Sequence, residues 1–466
     1  MSAMNPSENK SKLTKAQILS APELRIGSEI DNPDMTIQTI INRPVVNTNK
    51  MSRFVLDFKG GVLDSNSRLQ LSLDSSNANS FYARNVGVLG LLKRVRLLGN
   101  NGATIISECD DFNHLSAYHS LFLDGEHQVE HEQYTSNRCM GHQFLYDNTL
   151  TTQSNSDAVG IGINNGWDYD SSDLQNPAFL SIASKPIFSV SLKEMFPVLR
   201  RQIGLPTWLL ENLVIEIFYE TDYASDSNTG RICTASGQGM ASTPIDLTQT
   251  KLMLDYVMYS QQQQEEMLDD SLQIKYHEYR LTKTSLSHTD ATNFIRNLGG
   301  ANRECSKIIL GLADDNQTND SIINKYNAVA VPLASTCELN VKYNDNFLYS
   351  GGDVKNNARH YFNLCEAEGL KPHITKQEYC NECEVLTTQS FEGHNQNNLL
   401  KGKFNWFSFR LNRGEKVNSR GVELYSKLAT LTDLGGGKTY TQRAWLEVAR
   451  QLIIDKNSGE VSVYWV

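Results

Sequence analysis

Short segments in which apolar and polar residues alternate recur along the chain. The apolar members of the four clearest segments are Leu69, Leu71 and Leu73; Phe188, Val190 and Leu192; Cys337, Leu339, Val341 and Tyr343; and Phe407, Phe409 and Leu411. Successive side chains of a β-strand point to opposite faces, so this period of two predicts strands that cover a core on one side only. The pattern therefore predicts antiparallel sandwiches or barrels.

Helical periodicity occurs in two short stretches, DDFNHLSAYHSLF (110–122) and DVKNNARHYFNLC (353–365). Asp110, Asp111 and Asp353 are candidate N-caps, because a carboxylate there can accept the unpaired N–H groups of a first turn. The predicted buried faces are Phe112, Leu115, His119 and Phe122 in the first helix, and Val354, Ala358, Tyr361 and Cys365 in the second. We expect two short helices in an otherwise β protein.

The same supersecondary unit is repeated in the two halves of the chain. RVRLLGNNGATIISE predicts a hairpin with its turn near Asn101, and CELNVKYNDNFLYS predicts another with its turn near Asp345. Each hairpin is followed by one of the predicted helices, so we infer two copies of one β domain. The predicted division is 1–35 as an N-terminal arm, 36–262 as the first domain and 263–466 as the second domain.

Composition supports a turn-rich β protein. Apolar residues make up 39% and charged residues 21% of the 466 residues, which is typical of a globular chain. The chain contains 42 asparagines, many of them in clusters such as 154–173 and 393–398. Asparagine favours turns because its side chain bonds nearby backbone and it tolerates the left-handed conformation. Long polar loops between short strands are therefore expected, and 150–177, 222–248 and 384–400 are the leading candidates to face outward.

The net charge of −10 argues against a protein that holds nucleic acid through its whole surface, because phosphate binding requires a dominant basic field. The first residues lack the apolar core of a secretion signal, and no apolar run reaches the length of a spanning helix. We therefore expect synthesis and retention in the cell interior, with the eight scattered cysteines reduced.

Two strings imitate catalytic motifs. His127, Glu130 and His131 match the H-x-x-E-H form of some zinc peptidases, but they follow an Asp-Gly turn where a helix is required. Gly435–Thr439 resembles the end of a phosphate loop without the earlier glycine that the full pattern needs. We expect both to be surface loops, and no Ser-His-Asp set can be assigned. The sequence predicts no catalytic site and no cofactor.

Cys380 and Cys383 form the best metal-site candidate, with Cys365 and His373 as possible further ligands and His360 nearby. One C-x-x-C pair is half of a structural zinc site, and the other half lacks regular spacing. These residues are weak candidates, and reduced thiols in a loop or at a strand edge are the preferred interpretation.

Two further groups of residues are candidates for subunit contacts. Lys93, Arg94 and Arg96 lie on a predicted strand, and we interpret them as a solvated edge or subunit contact in preference to a nucleic-acid site. Aromatic residues in polar segments are candidate anchors, with local loop packing as an equal alternative. These aromatic residues are Trp167, Tyr169 and Trp208.

Several longer segments resemble the double jelly-roll major capsid proteins of nucleocytoplasmic large DNA viruses, virophages and polinton-like viruses. The first half is similar over FSVSLKEMFPVLRRQIGLPTWLLENLVIEIFYE (188–220) and LMLDYVMYSQQQQEEM. The second half is similar over KGKFNWFSFRLNRGEKVNSRGVELYSKLATL (401–431) and the ending ARQLIIDKNSGEVSVYW (449–465). Val417–Gly421 departs from the Gln-Pro-Ser-Gly-like turn of the large viruses, which favours the smaller polinton-like or virophage branches.

The resemblance implies two tandem eight-stranded antiparallel jelly-roll sandwiches with short helices in the loops. It also implies homotrimers that act as pseudo-hexagonal capsomers of an icosahedral shell, with neighbouring capsomers, penton proteins and minor capsid proteins as partners. The arm, with Lys10, Lys12 and Lys15, would then reach an internal membrane or a minor capsid protein. The alternative interpretation is a viral attachment protein or carbohydrate-binding β-sandwich, which would carry an aromatic groove or converging carboxylates.

Overall fold

The chain is rich in β-strands in its computed structural model. The structure describes residues 36–72, 80–81, 87–122, 187–200, 204–220, 233–234, 245–260, 264, 272–287, 293–314, 338–349, 357–370, 406–411, 414–427, 439–455 and 458–466. The described helices are α1 (Phe112–Ser120), α2 (Leu192–Met195) and α3 (Asn357–Glu368), with 3-10 turns at Gly87–Leu91, Asn100–Gly102 and Pro197–Leu199.

The described strands divide between the two halves of the chain. Those of the first half are β1 (Thr36–Asn42), β2 (Val46–Asn47), β3 (Met51–Leu56), β4 (Gly61–Leu63), β5 (Arg68–Ser72), β6 (Ser80–Phe81), β7 (Leu92–Gly99), β8 (Thr104–Asp110), β9 (Ile187–Ser191), β10 (Leu205–Pro206), β11 (Leu213–Tyr219), β12 (Cys233–Thr234) and β13 (Lys251–Met258). Those of the second half are β14 (Leu272–Ser287), β15 (Asn293–Gly299), β16 (Cys305–Asp314), β17 (Glu338–Tyr343), β18 (Asn346–Phe347), β19 (Trp406–Arg410), β20 (Val422–Lys427), β21 (Thr439–Ile454) and β22 (Val461–Trp465).

The first half forms a sandwich of two antiparallel sheets. In one sheet β13 is the central strand, with β1 paired on one side of it and β4 and β5 paired end to end on the other. At the two ends of this sheet, β10 pairs with β4 and β9 pairs with β5. The second sheet has the order β2-β3-β11-β7-β8. Short β6 and β12 pair separately.

The second half repeats this arrangement. One sheet has the order β14-β21-β16-β19, and the other has the order β15-β20-β17-β18. The last strand, β22, pairs with β21 next to the end of β16. All of these pairings are antiparallel.

The pairing pattern of each half is a nested set of hairpins. The eight strands of this pattern in the first half are β1, β3, β5, β7, β8, β9, β11 and β13. Among these eight, the first pairs with the last (β1–β13), the second with the seventh (β3–β11), the third with the sixth (β5–β9) and the fourth with the fifth (β7–β8). The corresponding pairs of the second half are β14–β21, β15–β20, β16–β19 and β17–β18. Successive pairs alternate between the two sheets, which defines a jelly roll. The prediction of two tandem eight-stranded jelly-roll sandwiches is confirmed.

Where the structure describes them, the alternating segments place their apolar residues inward, as predicted; Leu73 and Cys337 lie outside the described residues. Leu69, Leu71, Phe188 and Val190 lie in the core of the first sandwich, and Leu339, Val341, Phe407 and Phe409 lie in the core of the second. Burying one such side chain stabilises a fold by roughly 1.5–3 kcal/mol. Leu192 is buried as well, but it begins α2 instead of continuing the strand.

The two predicted hairpins have left-handed turns. Asn100 and Asn101 have φ angles of 50° and 56°, and Asn344 and Asp345 have φ angles of 50° and 62°. The second pair forms a two-residue loop, since Tyr343 pairs with Asn346. Asn and Asp tolerate this conformation better than other residues with side chains. The repeated unit of hairpin followed by helix is present in both sandwiches.

The predicted helix details were partly wrong. Asp111 occupies the N-cap position of α1, yet its side chain makes no capping bond and its backbone is left-handed, with φ 49°. Among the α3 side chains whose burial is described, His360, Asn363, Leu364 and Ala367 are buried, whereas Tyr361 and Cys365 of the predicted face are only half-buried. The face was assigned by local periodicity, but α3 is oriented by packing on β19. Asp353 and Val354 lie outside the described residues.

Candidate functional site

The most distinctive surface within the described residues is the contact between the two sandwiches. In β21, Ala444, Leu446 and Val448 point into the core of the second sandwich. The intervening Trp445 belongs to the core cluster of the first sandwich, as do Ile309 of β16 and Trp406 of β19. The β14-β21-β16-β19 sheet is therefore buried on both faces, whereas antiparallel sheets commonly leave one face to solvent.

Side chains of the second sandwich cover the edge of β8. Arg450 donates from Nη2 to the carbonyl of Ile105 at 3.1 Å and from Nη1 to that of Ile106 at 3.3 Å. Tyr276 also donates to the Ile106 carbonyl, and the backbone N–H of Glu108 donates to Glu278. An uncovered edge strand offers unpaired N–H and C=O groups to other chains. Here those groups are satisfied inside the molecule.

Asp111 joins the two sandwiches through charge. Its carboxylate lies 2.7 Å from Nε of Arg443 and 2.7 Å from Nζ of Lys283, and both Asp111 and Arg443 are buried. Burial disfavours the charged carboxylate, but the charges and hydrogen bonds of Arg443 and Lys283 outweigh it and hold the pKa of Asp111 below its usual 3.8. The left-handed backbone of Asp111 thus turns the start of α1 while its side chain binds the second sandwich.

A second buried charge cluster links both helices to the sheet. Lys307 of β16 lies 2.6 Å from Oε1 of Glu368 at the end of α3 and 3.8 Å from Glu447 of β21. Tyr118 of α1 donates to the same Glu368 oxygen at 2.7 Å, and its ring packs edge-on against Trp406. Each buried charge has an opposite partner, which a buried ion requires.

The final hairpin, formed by β21 and β22, contacts the first sandwich. The Asn100 side chain donates to the Val461 carbonyl at 2.8 Å and accepts from the Val461 N–H at 2.9 Å. Gly459 has φ +68°, and a Cβ there would lie 2.6 Å from the Leu209 carbonyl oxygen. The turn thus requires glycine both for its conformation and for its close approach. The two sandwiches are joined along a continuous surface as well as by the covalent chain.

The basic cluster predicted at a strand edge lies elsewhere. β7 is an interior strand between β11 and β8, so the interpretation as an edge was wrong. Lys93 pairs with Glu220 at 3.5 Å, Arg94 with Asp110 at 2.7 Å, and Arg96 with Glu108 at 3.1 Å. Alternation did not reveal these partners because they come from neighbouring strands. Neutralised cations of this kind do not form a phosphate-binding surface.

The other predicted site residues fall in two groups, those within the described residues and those outside them. Cys365 lies half-buried on α3, His360 is buried beside Phe407, and Trp208 packs against the first core. The strings His127–His131 and Gly435–Lys438, together with His373, Cys380, Cys383, Trp167 and Tyr169, lie outside the described residues, whereas Thr439 begins β21. The part of the chain that the structure describes contains no group of three or more His, Cys, Asp or Glu side chains placed to hold a metal ion.

Two of the described thiols, Cys109 and Cys305, are chemically quiet. Burial raises the pKa of Cys109 well above its usual range and that of Cys305 to about 12. A thiol in this state is a poor nucleophile, because the thiolate is the reactive form. Among the described helices, none is long and apolar enough to cross a membrane.

Sequence reasoning missed the partners of this interface, although one signal was present. In TYTQRAWLEVARQLII (439–454) the alternation is incomplete, since Trp445 stands between two inward apolar residues. A run that is apolar at consecutive positions indicates a strand covered on both faces. Nothing local identified what covers it.

The fold and the interface place the chain in the class of proteins built from two tandem jelly rolls. A chain of the Sputnik virophage has the same fold, with a TM-score of 0.57 and 11% identity over 100% of this chain and 93% of that one. The mavirus major capsid protein gives 0.52 and 11% over 92% and 90%. A chain of the PBCV-1 virus capsid gives 0.53 and 10% over 93% and 97%. No family profile and no curated protein matches the sequence.

Acid titration is expected to weaken the contact at Asp111. Because the pKa of Asp111 is lower in the folded than in the unfolded chain, its stabilising contribution is complete above about pH 3.8 and is lost as the pH falls through the folded value. We expect the free energy of unfolding, measured by urea titration between about pH 2 and pH 6, to fall toward acid more steeply for the wild type than for Asp111→Asn.

Glu278 titrates with the opposite sign and in a different window. Burial raises its pKa from 4.5 to about 7, so its contribution to stability is lost as the pH rises between these values. Glu278 is present in both proteins, so its contribution cancels when the free energy of unfolding of Asp111→Asn is subtracted from that of the wild type. Parallel curves for the two proteins below about pH 4 would show that the Asp111 carboxylate does not carry the contact.

Proposed function

We propose that this chain is a major capsid protein that self-assembles into the icosahedral shell of a DNA virus. The single observation that carries the proposal is the pair of jelly rolls, with the same fold over nearly the whole chain as the mavirus major capsid protein and a chain of the PBCV-1 virus capsid. The role is structural and not enzymatic, and the protein resides in the virion.

The physical argument is one of symmetry. Two similar sandwiches in one chain give three copies six similar corners, so a trimer occupies a site with six neighbours. The buried contacts of Asp111, Lys307 and Arg450 fix the two sandwiches relative to each other, as a tile requires. Contacts between tiles can be individually weak because each tile is held by several neighbours at once.

The finer assignments are part of the same proposal. We divide the chain into the arm 1–35, a first jelly roll over 36–262 and a second over 263–466, with neighbouring capsomers, penton proteins and minor capsid proteins as partners. The arm is assigned to a minor capsid protein or an internal membrane. Unchanged particle assembly after deletion of residues 1–25 would refute that assignment.

The test is the mass of the purified protein in solution. Size-exclusion chromatography with light scattering is expected to give a stable species of three times the chain mass of 52.4 kDa. An obligate oligomer of this kind should bury about 2,000 Å² or more at each interface and should resist dilution. A monodisperse single chain that binds glycans would refute the proposal in favour of an attachment protein.

A further inference from the structure

The contact between the two sandwiches is head-to-tail. The first sandwich contributes the edge strand β8 and α1, the elements that end its hairpin-helix unit. The second contributes the outer face of its β14-β21-β16-β19 sheet, through Trp406 and Trp445. The two contributions are different surfaces of the same type of domain. A contact of this kind leaves each chain with two surfaces that it does not use itself, a sheet face on the first sandwich and a helical surface on the second.

The sheet surface left over in the first sandwich is the outer face of β1, β13, β5 and β9. β1 is the edge strand that corresponds to β14, and its Ile37 and Ile41 are 55% and 57% exposed. Ile187 of the edge strand β9 is 53% exposed, and Met253 of β13 is half-buried opposite Ile41. The corresponding face of the second sandwich is covered by the first sandwich, and its Ile309, Trp406 and Trp445 are buried. The first sandwich therefore presents a sheet face on which exposed isoleucines lie among polar side chains.

The helical surface left over in the second sandwich is the outer face of α3, the helix that corresponds to α1. Phe362 is 51% exposed, and Leu370, just beyond the end of the helix, is 58% exposed. Arg359 and Glu366 lie on the same side and form an exposed ion pair at 3.8 Å. Arg359, Phe362 and Glu366 follow one another at spacings of three and four residues, so they form one stripe along α3. α1, by contrast, is almost entirely buried between the sandwiches.

We propose that the α3 surface of one copy binds the β1-β13-β5-β9 surface of a second copy. This inference rests on the proposed function and identifies the surfaces that build the trimer. The precedent is the contact inside the chain, where the equivalent helix already covers the equivalent sheet. Head-to-tail contacts generate rings when their rotation closes, and the trimer of the proposed function corresponds to a ring of six sandwiches.

The test uses two double variants and one matched control. Ile37→Glu with Ile41→Glu places charge on the sheet surface only, and Phe362→Glu with Leu370→Glu places charge on the α3 surface only. Ile295→Glu is the control, since Ile295 is 59% exposed on β15 of the other sheet of the second sandwich. All the altered side chains are exposed, so thermal unfolding of the isolated chains should change little.

Light scattering gives the readout. We expect the wild type and the control at three chain masses and each double variant at one. An equal mixture of the two double variants should give a species of two chain masses, because each supplies the surface that the other lacks.

The outcomes separate the two proposals. Double variants that remain at three chain masses, or a mixture that remains at one, would overturn this interface and leave the proposed function standing. A wild type at one chain mass at every concentration would overturn the proposed function and the interface with it.

Discussion

Replacement of Asp111 by asparagine is expected to lower the free energy of unfolding by about 3–5 kcal/mol, the range found when one partner of a buried ion pair is removed. Asparagine has nearly the same shape and tolerates the left-handed backbone at this position, so the change removes the charge and little else. Arg443 would remain buried without its carboxylate. Urea denaturation at neutral pH measures the loss.

Asp345→Asn is the matched control for this prediction. Asp345 also has a left-handed backbone and an arginine partner, Arg420, but both side chains of that pair are more than half exposed. Exposed pairs contribute about 0–1 kcal/mol, so the control should change stability by no more than that. Equal effects of the two substitutions would contradict the assignment of Asp111 as the charged link between the sandwiches.

Truncation of Trp445 to alanine is expected to cost a similar amount, about 3–5 kcal/mol, through lost burial and the cavity that remains. The Trp445 side chain is fully buried, and its ring centroid lies 6.0 Å from that of Trp406. Its Nε1 donates to the Asp110 carbonyl at 3.4 Å. Its removal acts on the contact between the sandwiches, because Trp445 points away from the core of its own domain. Urea unfolding monitored by circular dichroism gives the magnitude.

Trp208→Ala provides the comparison within the same chain. Trp208 is only half-buried at the margin of the first core and its Nε1 has no hydrogen-bond partner there. A smaller loss is therefore expected than at Trp445, since less surface returns to water. The account of the interface would be contradicted if Trp445→Ala were tolerated as well as Trp208→Ala.

The strands and the duplication could be predicted because their causes are local. Alternation at Leu69 and Leu71 reflects one buried face, and the left-handed turns at Asn101 and Asp345 require residues that tolerate positive φ. The pairing of first strand with last does not follow from alternation, because register between distant strands is set in three dimensions. The family resemblance supplied that part.

The interface could not be predicted, because its partners are far apart in sequence. Asp111 is separated from Arg443 by 332 positions, and a carboxylate at the start of a helix is ordinarily an N-cap. The buried face of α3 failed for the same reason, since tertiary packing and not helical period oriented His360 and Leu364. The interpretation of Lys93 as part of a strand edge failed as well, because β7 pairs with β11 on one side and with β8 on the other and is therefore an interior strand.

The most direct test of the central claim is single-particle electron microscopy of the purified protein. Three chains arranged head-to-tail should appear as a closed ring of six lobes with threefold symmetry, in which α3 of each chain lies on β1 of the next. A particle of two lobes, or a ring in which the β1-β13-β5-β9 face meets solvent, would contradict the account.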